Sequence, residues 1–173
     1  MKQEKKTLIV YRQERAREAL EEAKLLLEKG YGNTFVNRLY YACFYAVSAL
    51  LLTKDLSSAK HSGVRSLFHQ NIIKPGLLNI ELGQFYDRLF DNRQKGDYQD
   101  LVRFDLEEIS PWYDEAEQFV ERVSELANAE LKSEGIRKAY DKRMLLGENT
   151  LIFHHSKDDI CRRGQMPNLI SKS

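Results

Sequence analysis

Residues 33–54, reading NTFVNRLYYACFYAVSALLLTK, constrain the fold more than any other part of the chain. The stretch contains no Gly or Pro and shows no two-residue alternation, so it reads as one continuous helix. It is apolar on nearly every side, and a surface helix with a single buried stripe cannot accommodate that pattern. The segment must therefore be a central helix, covered by the rest of its own bundle and by a partner chain. Ala42, Ala46 and Ala49 recur on one side, where small residues let another helix approach closely. Arg38 is the one strong charge in the stretch before the terminal Lys54.

The flanking sequence supplies the covering helices. Ala16, Ala19, Leu20, Ala23, Leu26 and Leu27 repeat at three- and four-residue spacing in a helix that starts at Glu4 or Val10 and ends at Lys29, with Gly30 and Gly32 as its stop. The loop LSSAKHSG leads to a third helix of about ten residues, with Ser62 in the N-cap place and Pro75-Gly76 as terminator. A fourth helix begins near Asn79, buries Leu82, Phe85, Leu89 and Phe90, and ends around Gly96. A fifth begins at Ser110-Pro111 and carries Trp112, Ala116, Phe119, Val120, Val123 and Ala127 as far as Lys132. The expected fold is all-α, an up-and-down bundle of four to five helices joined by short connections.

Charge divides the chain where this pattern stops. Residues 1–134 hold 19 Lys and Arg against 22 Asp and Glu, whereas residues 135–173 hold 8 against 4. The reading is a bundle domain over 1–134 and a poorly patterned, basic C-terminal extension over 135–173 with little stable structure of its own, apart from a short helix over 136–146. The acidic balance of the bundle excludes a broad basic face for duplex nucleic acid and leaves room for a local cationic site. Cys43 and Cys161 lie far apart and make neither a disulfide framework nor a zinc set. No stretch approaches the roughly 20 apolar residues of a membrane span. The N-terminal run Leu8-Ile9-Val10 is shorter than the core of about 7 apolar residues in a secretory signal. A reduced, cytoplasmic protein is expected.

No glycine-rich phosphate loop, GxSxG elbow or HExxH is present, and His154-His155 in the extension does not make a metal site alone. No metal and no cofactor is expected. Three polar groups sit oddly against their surroundings. Arg38 in the apolar helix needs either a carboxylate from a neighbouring helix or an anion in a cleft. The segment from Asn92 to Asp100 places Arg93, Lys95, Asp97 and Tyr98 at the end of the fourth helix and the turn after it. These residues either complement the helix terminus or present donors and an aromatic face to a phosphate or nucleotide. Lys60 and His61 stand at the start of the third helix, where free backbone N–H groups favour anions.

NRLYYACFYAVSALLL, AKHSGVRSLF, IKPGLL, ELGQFYDRLFDNRQKGDYQD and FDLEEISPWYDEAEQFV, in this order over residues 8–131, resemble the HEPN-domain proteins, and more narrowly their small single-domain prokaryotic group. The resemblance implies a homodimer with a polar cleft near its axis. It also implies one of three roles: a nucleotide- or RNA-binding module, commonly in a toxin–antitoxin-type pair with a nucleotidyltransferase; a metal-independent endoribonuclease toxin; or a structural dimerisation or adaptor domain. The ribonuclease members carry an Arg, four to six intervening residues and then a His. Arg93 matches that Arg, and Tyr98 occupies the His place. A phenol with an ordinary pKa of about 10 is a poor general base beside an imidazole near 6.5. Where some members carry a modifiable Tyr two residues further on, this chain has Asp100. The resemblance therefore favours binding over cleavage. It assigns Arg93, Asp97 and Tyr98 to the reacting centre and Arg38, Lys60, His61 and Lys95 to ligand binding, with Asp97, Tyr98 or His61 handling protons if the chain cleaves RNA.

Overall fold

Among the 173 residues, the computed structural model describes 3–98 and 103–145, with side chains up to Lys95 in the first stretch and up to Ile136 in the second. The described residues form helices α1 (Gln3–Glu28), α2 (Gly32–Thr53), α3 (His61–Phe68), α4 (Ile80–Tyr98), α5 (Leu106–Ile109) and α6 (Trp112–Leu145), and no strand. A π-helical turn, His69–Ile73, follows α3 directly. The expected all-α bundle is the observed one. Its chain divides into two units, residues 1–137 and 138–173.

Helix α2 is central, as its sequence requires. Thirteen of its residues are buried, Ala42, Ala46 and Ala49 among them. Helix α1 makes the most extensive packing against it and α4 the next. Helix α1 contributes a buried row of small side chains, Ala16, Ala19 and Ala23. By length and composition α2 could also cross a bilayer, contrary to the expectation drawn from counting apolar residues. Its apolar window is 67% buried inside the bundle, however, so protein already fills the place of lipid.

A column of aromatic rings ties the other helices to it. Tyr40 of α2 stacks on Tyr86 of α4 at 6.0 Å between centroids, and Tyr86 stacks on Phe119 of α6 at 5.8 Å. Phe68 of α3 meets the Tyr86 ring edge-on at 5.5 Å. Offset and edge-to-face arrangements at such separations add about 0.5–1.5 kcal/mol per pair beyond area burial. Four helices thus share one aromatic core.

Local chemistry sets the ends. Gly30, at φ +76°, closes α1, and the next residue's amide, that of Tyr31, donates back to the Leu26 carbonyl at 2.9 Å. Asn79 accepts from the Leu82 amide at 3.3 Å and so starts α4.

Four expected boundaries move. Ser62 is not the cap of α3: Lys60 is the N-cap residue, and Ser58 accepts its amide at 3.1 Å. Ser110 is not an N-cap but the C-cap of α5, whose own N-cap is Asp105, accepting from Glu107 N at 2.9 Å. Helix α4 does not stop at Gly96 but continues to Tyr98, so Arg93 to Tyr98 is helical rather than a turn. Likewise α6 does not end at Lys132. A single Gly135 costs a helix only about 1 kcal/mol, too little to break it.

Candidate functional site

The site forms where α2, the start of α3 and the second half of α4 meet. Tyr40 and Tyr41 are consecutive in α2, so their side chains leave the helix about 100° apart. Tyr40 is fully buried and Tyr41 half-buried, and their rings meet edge-on at 5.4 Å. The Arg93 guanidinium, from α4, lies 5.4 Å from the Tyr40 centroid and 5.6 Å from that of Tyr41. One of its N–H groups donates to the Tyr41 hydroxyl at 3.4 Å. Arg38 lies 5.0 Å from the same Tyr41 ring. Tyr41 thus meets two guanidiniums, a cation–π arrangement that positions both without neutralising either.

Arg38 has the carboxylate partner that its place in an apolar helix calls for. It bonds Glu22 of α1 at 3.1 Å, and Asn37 at 3.1 Å.

His61, the first residue of α3, completes the cluster. Its Nδ1 lies 2.7 Å from the Tyr40 hydroxyl, and its ring stacks on Phe44 at 4.5 Å. Burial, opposed in part by the Tyr86 hydroxyl and the Arg93 charge, pushes the Tyr40 pKa up to about 12. Tyr40 therefore keeps its proton at neutral pH, and its hydroxyl shares with Nδ1 a hydrogen bond whose donor is set by the imidazole tautomer. Burial, and then the positive charge of Arg93, lower the His61 pKa and favour the neutral imidazole.

Gly63 fixes the approach of α3. A Cβ there would lie 2.2 Å from Ser58 Oγ, so only glycine lets the 58–60 turn close against the helix that carries His61.

The other expected site residues lie apart from this cluster or outside view. Lys60 and Lys95 are exposed, and no hydrogen bond or ion pair joins their side chains to it. Asp97 and Tyr98 belong to α4, and their side chains lie outside the described residues. Tyr40, Tyr41 and Phe44 were not singled out in advance. The signal was present in the i, i+3 spacing of Arg38 and Tyr41, which puts a cation and a ring on one helix face. No group of three or more metal-ligating side chains occurs among the described residues. His154, His155 and Cys161 lie outside them. Cys43 is buried, and burial pushes its thiol pKa well up.

This arrangement can bind an anion. Arg93, the neutral imidazole of His61 and a rim of half-buried aromatic rings offer charge, hydrogen-bonding groups and stacking surface together.

Comparison with known proteins agrees with the fold. The chain is 49% identical over 123 residues to a UPF0332 protein of Thermotoga maritima, covering 71% of this chain and 93% of that one. Two proteins of Methanocaldococcus jannaschii, each named "Putative toxin", are 37% identical to it. One match spans 95 residues, 55% of this chain and 65% of the relative, and the other spans 108 residues, 62% and 80%. The family model of the HEPN domain matches residues 10–126, which takes in α2, α3, α4 and the whole Arg93–His61 cluster, and the chain belongs to the HEPN-domain family.

Proposed function

We propose that this HEPN domain is a toxin-type module that binds RNA or a nucleotide at the Arg93–His61 cluster. It acts as a homodimer in the cytoplasm, paired with a nucleotidyltransferase antitoxin. The observation that carries the binding site is the convergence of Arg93 and His61, from different helices, on the Tyr40–Tyr41 ring pair. Relatives named as toxins support the setting, and family membership supports the dimer and the partner. Binding is favoured over cleavage because Tyr98, a phenol and a poor general base, stands in the family's histidine place.

A second reading, a metal-independent endoribonuclease, is favoured by His61 itself. It is an imidazole kept neutral beside an arginine. In that reaction the ribose 2′-OH attacks the adjacent phosphorus and the 5′-oxygen leaves. His61 would take the 2′-OH proton at Nε2 in the tautomer whose Nδ1–H donates to Tyr40.

One experiment separates the readings. Purified chain is incubated with single-stranded RNA in chelator, and binding and cleavage are measured for the parent and for Arg93→Ala. Binding lost in the variant, with no cleavage by either, is the expected result. Cleavage by the parent that disappears in Arg93→Ala gives the second reading instead. Binding indifferent to Arg93 removes both. Light scattering at micromolar concentration tests the dimer, which a monomeric mass would exclude.

A further inference from the structure

An acidic side chain stands at the edge of the Arg93–His61 cluster. Glu22 of α1 meets Arg38 of α2 at 3.1 Å, while the same guanidinium bonds Asn37 at 3.1 Å and rests 5.0 Å from the Tyr41 centroid. Arg38 is thereby held on three contacts, one of which offsets its charge.

Stability is a small part of what this pair does. A guanidinium set in an apolar helix calls for an answering charge, but the two side chains are 29% and 44% exposed, so water answers much of it as well. Ion pairs open to water to that degree contribute little to folding. What the carboxylate changes is the field around Tyr41. The Arg93 guanidinium lies 5.6 Å from the same centroid. Two charges that share one ring as their support act on each other's ligands, because the screening length at physiological salt is about 8 Å. An anion held by Arg93 therefore meets at Arg38 a guanidinium that is already paired, together with its carboxylate.

Phosphate esters differ in how they respond to such a neighbour. Along a phosphodiester chain each phosphate carries one negative charge, and the next is a whole nucleotide away and can turn aside. In a nucleoside di- or triphosphate the next charged group is joined through a single oxygen and cannot. A second phosphate directly beside the first needs a second cation, and Glu22 already occupies the one at Arg38.

We propose that Glu22 is a charge-selecting residue: by keeping Arg38 paired, it makes the Arg93–His61 site accept a single phosphodiester of RNA and reject the polyphosphate of a free nucleotide. The proposal rests on the binding reading above and decides between its two ligands. Glu22 acts through Arg38 and touches no ligand itself.

The test is displacement of a labelled single-stranded RNA octamer from the full chain, in chelator, by AMP and by ATP. Against the parent chain ATP should compete no better than AMP. Glu22→Gln releases the charge of Arg38 and should improve ATP relative to AMP at least about 10-fold, the low end for a hydrogen bond to a charged group. Adding Arg38→Gln to that variant should cancel the gain. A merely structural role for Glu22 would move the melting temperature and leave the ATP-to-AMP ratio alone. A 10-fold ATP preference in the parent, a ratio that Glu22→Gln leaves unchanged, or a gain that survives the loss of Arg38 overturns the proposal. If octamer binding still depends on Arg93 in any of those cases, the phosphate site stands without the selectivity. Failure of the octamer to bind removes the site and its selectivity together.

Discussion

Helix α3 is bracketed by two histidines in opposite electrostatic settings. His61 opens it and His69 follows its last residue. His69 Nε2 lies 2.9 Å from a carboxylate oxygen of Asp87, and Arg65 approaches the same oxygen at 3.8 Å while bonding Asp91 at 3.2 Å. That cluster carries its own counter-charges and is complete without a ligand. His61 instead has a phenol for a partner, an aromatic ring beneath it and an arginine for a neighbour. A phenol orients an imidazole without supplying negative charge. Two similar His–Arg groupings a few residues apart therefore divide into one whose histidine meets a carboxylate and one whose histidine meets a phenol.

The sharpest way to break this contrast is to remove the ring that holds His61. Tyr40→Ala deletes a fully buried side chain at the head of the aromatic column and should cost about 3–5 kcal/mol by denaturant unfolding. A loss below 1 kcal/mol would mean the column does not anchor the site. Tyr40→Phe keeps the ring and deletes the hydroxyl. It should cost about 1 kcal/mol, the usual worth of one hydrogen bond. NMR should then show the hydrogen bond at His61 Nδ1 lost, while His69 is unchanged. Asp87→Asn is the mirror experiment. Its half-exposed ion pairs should be worth less than about 1 kcal/mol, and RNA binding should not move. Altered RNA affinity in that variant would erase the division between the clusters.

The smallest effect is on pH dependence. The folded pKa of His61 lies below its ordinary value of about 6.5, so just below that pH the unfolded chain binds a proton that the folded chain does not. The contribution of His61 to stability is therefore full above about pH 6.5 and declines as pH falls towards the folded pKa. His61→Gln should flatten that part of the profile, which paired denaturation curves at neutral and mildly acidic pH would show. An unchanged slope would place the acid sensitivity elsewhere.

The fold was legible because α2 leaves no alternative: an apolar helix without breakers has to sit in the middle, and the stripes of α1, α4 and α6 are what surround it. Four-residue α5 escaped because one helical turn is too short to show a period. Ser62 looked like the cap of α3 because it is the commoner type, but the Ser58–Gly63 approach places the helix start earlier, at His61. Arg93 and His61 could each be picked out by residue type. Their meeting could not, because they lie in different helices and join through the Tyr40 and Tyr41 rings, whose spacing along the chain reads as plain core.

The burial of α2 also has a consequence for biosynthesis. Its main packing partner, α1, precedes it in the chain, so an α1–α2 hairpin can close while the rest is still being made. A helix with the hydropathy of a membrane span is then half covered almost as soon as it emerges. The uncovered side waits for Tyr86 and the remainder of α4, the same side that later seats Arg93. A surface of the newborn helix that is covered late is thus the one on which the candidate site is assembled.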